Sequence, residues 1–197
     1  LLNDNFRGAD GPDRISPFYD EDFESWVAPF VMGPINTRVV RRSAELLGDM
    51  YGSNFRYDEG ILTRGGPTGF LGATGIGLAT GLAMATLAAP PTRKIIKRFI
   101  PKPGEGPSEH EQEQGFFEIE LKAKHPEDES LDLRAIVKGD RDPGYGSTAK
   151  MIVESAMALA HDDVKKSGGF WTPASVIGDK LLQRLPLHAG VTFELIG

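Results

Sequence analysis

The sequence has 197 residues, of which 40% are hydrophobic and 25% are charged, and this composition is ordinary for a folded globular protein. Its formal net charge of −6 argues against nucleic acid as a partner, because phosphate binding needs a basic surface. Cysteine is absent, which excludes disulfides and thiolate metal sites, and no histidine has a second ligand at a suitable spacing. We therefore expect no bound metal.

The first thirty residues are polar and rich in turn signals, and we expect them to lie across the surface. A helix is predicted next, because Asn36 or Thr37 would cap its start and Gly48 would end it. The apolar positions spaced for burial in this helix are Ile35, Val39, Val40, Ala44 and Leu47.

The spacing of Arg38, Arg41 and Arg42 places three guanidinium groups on one face of that helix. One interpretation is a solvated face on which Arg41 or Arg42 pairs with Glu45. The other is contact with a carboxylate or phosphate, since arginine binds both groups with two parallel hydrogen bonds.

Residues 70–89 carry no charge and are long enough to cross a bilayer, but much of the segment is Gly, Ala and Thr. Residues 93–100 then alternate basic and apolar side chains, as in a basic amphipathic helix. The alternatives are lipid contact, a membrane span, or a helix packed against protein. We expect burial against a second copy, because the small residues allow close approach. The small residues meant are Gly72, Ala73, Gly77, Gly81 and Ala85.

The glycines of residues 69–77 imitate a nucleotide-binding turn. We do not expect such a site, because residues 63–68 form a predicted loop with no strand before the glycines, and Pro90 and Pro91 stand where an acidic residue is needed.

Alternating apolar and charged residues predict strands over residues 117–123 and 131–138, joined as an antiparallel hairpin. Residues 55–59 and 191–195 supply further predicted strands. Helices over residues 147–161 and 173–185 would cover the apolar side of the sheet. The expected fold class is α+β, with a largely antiparallel mixed sheet and helices packed on one face.

Residues 139–150 and 168–174 each predict a strand or loop that turns abruptly into a helix. Such a helix start exposes unpaired backbone N–H groups and can hold an anion. Tyr145 and Lys150 imitate a catalytic tyrosine–lysine pair, but they are five residues apart rather than four, so one helix face would not present both.

These two segments, together with residues 29–32 and 36–43, resemble the C-terminal half of saccharopine dehydrogenase-like oxidoreductases, and residues 101–108 are similar to the enoyl reductase branch of that family. The resemblance implies that residues 1–197 are a single C-terminal substrate-binding and oligomerisation domain, including the hydrophobic and basic segment 70–100. It also implies that the N-terminal Rossmann domain lies outside this chain and binds NADP or NAD for hydride transfer. We therefore expect no cofactor to bind these residues and no activity from them alone.

The resemblance further implies that the two turns face the catalytic cleft. Arg141 would hold a substrate carboxylate, Tyr145 would donate a hydrogen bond, and Trp171, beside Thr172, would stack on a ring or acyl chain. The structural alternatives are that Arg141 pairs with a neighbouring aspartate, that Tyr145 fills a turn and that Trp171 belongs to the core. Arg38, Arg41 and Arg42 complete the expected substrate-binding residues.

The expected partners are a second copy of the chain and the Rossmann domain of the same polypeptide, with a membrane or lipid surface as the alternative. The expected location is cytoplasmic, including the periphery of a membrane. The alternative function is a lipid-associated interaction module whose catalysis is vestigial.

Overall fold

The computed structural model describes residues 11–92, 101–102 and 104–196. The chain divides into two compact units, Leu1–Glu105 and Gly106–Gly197. The expectation of a single functional domain stays a prediction.

The first unit contains a three-stranded antiparallel sheet in the order β1-β2-β3. Its strands are β1 (Phe18–Asp20), β2 (Ser25–Pro29) and β3 (Gly60–Leu62). The expectation that the first thirty residues lie across the surface is wrong for β2, where Val27 and Ala28 are buried. The strand predicted over residues 55–59 is also wrong, because pairing with β2 begins only at Gly60.

Helix α1 (Gly33–Leu47) begins earlier than predicted, with Pro34 in its first turn, and ends as expected before Gly48. Proline suits a first turn because its missing N–H has no partner there in any case. The predicted buried face is partly wrong: Ala44 is buried as predicted, but Ile35 and Val39 are exposed, and Thr37 and Ser43 are buried instead.

Helix α2 (Gly66–Ala88) packs against β2 through a stripe of small residues. Gly69 and Ala73 are buried, and a Cβ added at Gly77 would lie 3.5 Å from Pro17 and 3.6 Å from Pro29. Trp26 of β2 meets Phe70 edge to face, with ring centroids 4.8 Å apart. Among the described residues, α2 is the one helix that is long and apolar enough to cross a membrane, judged by length and composition.

The second unit begins with α3 (Glu109–Gln114) and contains a sheet in the order β4-β5-β6. Strands β4 (Phe117–Ala123) and β5 (Leu133–Gly139) form the predicted hairpin, and the predicted terminal strand is β6 (Val191–Ile196), antiparallel to β5. The α+β class is therefore confirmed. The strands, however, form two separate antiparallel sheets rather than one mixed sheet.

Helices α4 (Gly146–His161) and α5 (Pro173–Arg184) match the predicted helices closely, and a π-helical turn at Leu185–Ala189 joins α5 to β6. Leu185, Ala189 and Val191 form the buried core of this unit, with Phe117 and Val137 packed against it. The expectation that helices cover the whole apolar face of the sheet is only partly met, since the sheet residues Ile119, Leu121 and Leu133 are exposed.

Candidate functional site

The turn between β5 and α4 is organised by the carboxylate of Asp142. Its two oxygens accept hydrogen bonds from the backbone N–H groups of Gly144, Tyr145 and Gly146, at 2.9, 3.0 and 2.7 Å. These three bonds, the one to Gly146 above all, hold the pKa of Asp142 below its ordinary value. The expectation of an open anion site at this helix start is therefore wrong, because the chain supplies its own anion.

The residues beside Asp142 are also fixed by contacts within the second unit. Ser147 is fully buried; its hydroxyl donates to the carbonyl of Arg141 at 3.0 Å, and its N–H donates to the carbonyl of Asp142 at 2.9 Å. The N–H of Asp142 donates in turn to the carbonyl of Gln112 at 3.0 Å, which ties the turn to α3. The turn is thus held rigidly.

Arg141 and Tyr145 present their side chains at this turn. The Arg141 guanidinium lies 3.5 Å from a carboxylate oxygen of Glu113, and not beside Asp140 or Asp142 as the structural alternative supposed. Tyr145 is 55% exposed, and its ring lies against Gly106. Both side chains remain open enough to meet a ligand. Lys150, the second member of the apparent tyrosine–lysine pair, forms an ion pair with Asp140 at 3.3 Å.

The start of α5 is capped by side chains of its own first turn. The N–H of Thr172 donates to the Ser175 hydroxyl at 3.1 Å, and that hydroxyl donates to the Thr172 carbonyl at 2.9 Å. The Thr172 hydroxyl donates to the Ser175 hydroxyl at 3.1 Å, and Thr172 is 8% exposed, so its side chain belongs to this cap and presents little surface to a ligand. The second predicted anion site is therefore also occupied by the protein.

Trp171 lies at the same turn and is half-buried. Its indole N–H donates to the Ser167 carbonyl at 2.9 Å, and the Lys166 ammonium lies 5.0 Å from the ring centroid. The ring is therefore held in place at a partly open position, consistent with stacking on an apolar ligand.

Arg184 joins α5 to α4 through two carboxylates. Its guanidinium contacts Glu154 at 2.9 Å and Asp162 at 3.2 Å, and all three side chains are largely covered. These two ion pairs hold the end of α5 against α4. They therefore fix the packing of the two helices that follow the two turns.

The arginine face of α1, in the first unit, is paired within the chain. Arg38 contacts Asp13 at 3.1 Å, Arg41 approaches the same carboxylate at 3.9 Å, and Arg42 pairs with Glu45. The predicted pairing of Arg42 with Glu45 is confirmed. Asp13 occupies the position that the second interpretation gives to a ligand carboxylate. Arg38, with 63% of its side chain exposed, is the most accessible of the three.

A polar cluster beside α1 was missed at the sequence level. Tyr57 donates to Glu59 at 2.8 Å, and the amide of Asn36 donates to the other oxygen of Glu59 at 2.9 Å. Burial and this hydrogen bond raise the pKa of Tyr57 well above its usual range, so the phenol keeps its proton. The cluster borders a cavity of about 10 Å³, room for about one water molecule. The i, i+2 spacing of Tyr57 and Glu59, which puts both on one side of an extended chain, was the available signal.

The glycines of residues 69–77 lie inside α2, where they cannot form a phosphate-binding turn, although β3 does precede them. Across the described residues, no group of three His, Asp or Glu side chains is placed to hold a metal.

The chain is similar in sequence to several mycobacterial proteins. The chain is 40% identical over 174 residues to a Mycobacterium tuberculosis protein named "Putative trans-acting enoyl reductase", a match that covers 86% of this chain and 41% of the relative. It is 38% identical over 173 residues to the trans-acting enoyl reductase of Mycobacterium ulcerans, covering 82% of this chain and 39% of that protein. These relatives support an enoyl reductase-like family.

The trans-acting enoyl reductase of Mycobacterium bovis is 36% identical over 178 residues, which cover 84% of this chain and 40% of that protein. The chain thus spans about two fifths of the length of the curated relatives it matches. No family model matches it, and no solved structure does.

Proposed function

We propose that this chain is the substrate-facing and oligomer-forming part of an enoyl reductase-like oxidoreductase of the saccharopine dehydrogenase-like kind. The observation that carries the proposal is the similarity to proteins named trans-acting enoyl reductase over more than four fifths of the chain. Those names do not favour the alternative of a lipid-associated module whose catalysis is vestigial.

The proposed cofactor is NADP or NAD, held by a nucleotide-binding part of the protein outside these residues. The described residues do not fit a dinucleotide. Asp142 and the Thr172–Ser175 cap occupy the two helix starts predicted for an anion, and the glycine motif of residues 69–77 is helical. When bound, a reduced nicotinamide would supply a hydride to an α,β-unsaturated acyl group.

The role of this chain is then to bind and orient the acyl substrate. Arg141, whose guanidinium contacts the partly exposed carboxylate of Glu113, is proposed to hold an anionic group of the substrate. Tyr145 is proposed to donate a hydrogen bond from its exposed phenol, and Trp171 to pack against the acyl chain. Thr172 acts indirectly in this scheme, because its hydroxyl donates to the Ser175 hydroxyl and so helps to hold the start of α5, next to Trp171.

The three arginines of α1 are proposed to contribute to anion binding through Arg38, whose guanidinium is the most exposed. Exchange of Asp13 for a ligand carboxylate would retain the charge pairing of Arg38 and Arg41. The relatives are named as trans-acting enzymes. We accordingly propose that the acyl substrate reaches this protein from a separate partner.

The test is reduction of an unsaturated acyl thioester by the complete gene product, followed by loss of NADPH or NADH absorbance. Arg141→Gln should lower kcat/KM by about 10- to 150-fold, because a charged hydrogen bond contributes about 1.5–3 kcal/mol. Lys165→Gln, the same change of charge at an exposed residue of the same unit, should leave kcat/KM unchanged. Absence of turnover with either nucleotide, on both short and long acyl thioesters, would overturn the proposal.

A further inference from the structure

The two halves of α2 have different surroundings. The first half lies on the sheet of the first unit, with Gly69 and Ala73 buried and Gly77 against Pro17 and Pro29. From residue 78 to residue 88 every position is exposed except Thr80 and Thr86, which are half-buried. The helix therefore begins packed on the sheet of the first unit and continues past the part that the sheet covers.

Helical spacing shows that the sheet stops covering α2 before the helix ends. Met84 and Leu87 continue the side of the helix that carries Ala73, yet they are 58% and 40% exposed. On the opposite side, Leu78 and Leu82 are 71% and 67% exposed. The second half thus presents apolar side chains around its whole circumference. The hydroxyl of Thr86 donates to the Ala83 carbonyl at 2.8 Å, so it is satisfied within the helix.

The charge of the surrounding sequence is strongly one-sided. The chain has 28 acidic residues, yet none lies between Glu59 and Glu105. All the charged residues in that interval are basic: Arg64, Arg93, Lys94, Lys97, Arg98 and Lys102. The sequence around the exposed half of α2 therefore carries only positive charges, although the protein as a whole is acidic.

We propose that residues 78–88 insert into the acyl region of an anionic lipid membrane, whose negative charge complements the basic sequence around this segment. An α-helical segment of this length rises about 16 Å, close to half of the roughly 30 Å hydrocarbon core, so it reaches through about one leaflet. The apolar segment alone is short and rich in alanine, and a basic cluster alone binds weakly. Together they provide the two signals that stable membrane attachment requires.

A second copy of the chain is the less favoured occupant. Ala73 and Gly77, two of the small residues expected to allow close helix pairing, are already covered by the sheet of their own unit. The exposed second half carries large side chains on two opposite sides, Leu78 and Leu82 on one and Met84 and Leu87 on the other, which suits fluid lipid better than a single protein surface. This inference goes beyond the proposed function, because it concerns where the reductase works and does not depend on its reaction.

The test is flotation of the complete protein with vesicles of phosphatidylcholine alone or of equimolar phosphatidylcholine and phosphatidylglycerol. The protein should float with the anionic vesicles at about 0.1 M salt, much less with the neutral ones, and be released as salt approaches about 1 M. Leu78→Asp with Leu82→Asp should lower the bound fraction at least about tenfold. Leu131→Asp, the same change at an exposed leucine of the second unit, should bind as the wild type does.

A second measurement keeps the apolar surface intact. Tryptophan placed by Leu82→Trp should be quenched by lipids brominated on their acyl chains. Failure of the wild type to float, together with an unquenched Leu82→Trp variant, would overturn the proposal. So would a stable dimer in sedimentation that Leu82→Asp dissociates while vesicle binding is unchanged, because that result would assign the exposed half of α2 to a second copy.

Discussion

Replacement of Gly190 by alanine should destabilise the second unit. Gly190 follows the π-helical turn with a φ of 68°, a left-handed conformation that costs an alanine about 1–2 kcal/mol. An added Cβ would also lie 2.2 Å from the carboxylate carbon of Asp140. That carboxylate must then rotate away and lose its ion pair with Lys150, which is partly exposed and contributes about 0.5 kcal/mol. The expected loss is about 1.5–2.5 kcal/mol.

Urea unfolding followed by tryptophan fluorescence measures this loss. The chain has two tryptophans, one in each unit, so a Trp26→Phe background leaves Trp171 to report on the second unit. Gly178→Ala is the matched control, because an added Cβ there meets nothing within 4 Å. Gly178 directly follows a kink of α5 at Ile177, so this change should be tolerated without loss of stability.

A double variant separates the two causes. Asp140→Ala removes the carboxylate in the way of the new Cβ, so Gly190→Ala should cost only the backbone strain of about 1–2 kcal/mol in that background. An unchanged urea midpoint for Gly190→Ala in the wild-type background would refute the reasoning as a whole. A loss in the Asp140→Ala background as large as that in the wild type would refute the steric part alone.

Three further predictions concern charge and ionisation. Asp142→Asn should destabilise the protein at neutral pH, and the difference in stability from the wild type should shrink on acidification. Because the folded pKa of Asp142 is depressed, its contribution to stability is present above the ordinary carboxyl pKa of about 4 and is lost as pH falls through the folded pKa. A difference in urea midpoints that does not depend on pH would contradict the assignment. Tyr57→Phe should lessen the fall in stability above about pH 10. Because the folded pKa of Tyr57 is raised, its contribution to stability is present below the unfolded pKa and is lost as pH rises toward the folded pKa. Parallel alkaline unfolding curves for the variant and the wild type would exclude this contribution. Arg42→Gln should lower stability by no more than about 1 kcal/mol, because a single i, i+3 ion pair on a helix contributes little. A larger loss in thermal unfolding would show that the pair with Glu45 has a greater role.

Elements with a strong local pattern could be predicted from the sequence. The alternation in β4 and β5 gave the hairpin, since one side of each strand is apolar and the other charged. Thr172 followed by Pro173 marked the start of α5, because threonine caps a helix and proline fits its first turn. In each case the signal lies within a few neighbouring residues.

Elements that depend on distant partners could not be predicted in the same way. Strands β1 and β3 have three residues each, too few to show a period, and they exist because both pair with β2. The division into two sheets depends on which strands pair with one another. Alternation of apolar and polar residues within a strand does not predict its pairing partner. For the same reason, the spacing of Ile35 and Val39 indicated a helix but not which of its faces would be covered.

The candidate site shows the same division. Asp142 followed by Pro143 and Gly144 is typical of a turn in which the aspartate accepts backbone hydrogen bonds, so the filled helix start was within reach of the sequence. The contact of Arg141 with Glu113 was not, because α3 and the turn are brought together only by the fold. The residue types at the turns were thus predictable, whereas their partners were not.

The order of the second sheet leaves β4 and β6 as its two edges. Strand β4 alternates charged residues along its length, and such charges discourage edge-to-edge association. Strand β6 has much less of this protection, since Phe193, Leu195 and Ile196 are all exposed and Glu194 is its one charged residue. Preparations of the second unit should therefore aggregate through β6 first, and a lysine in place of Leu195 is the change that should keep it in solution.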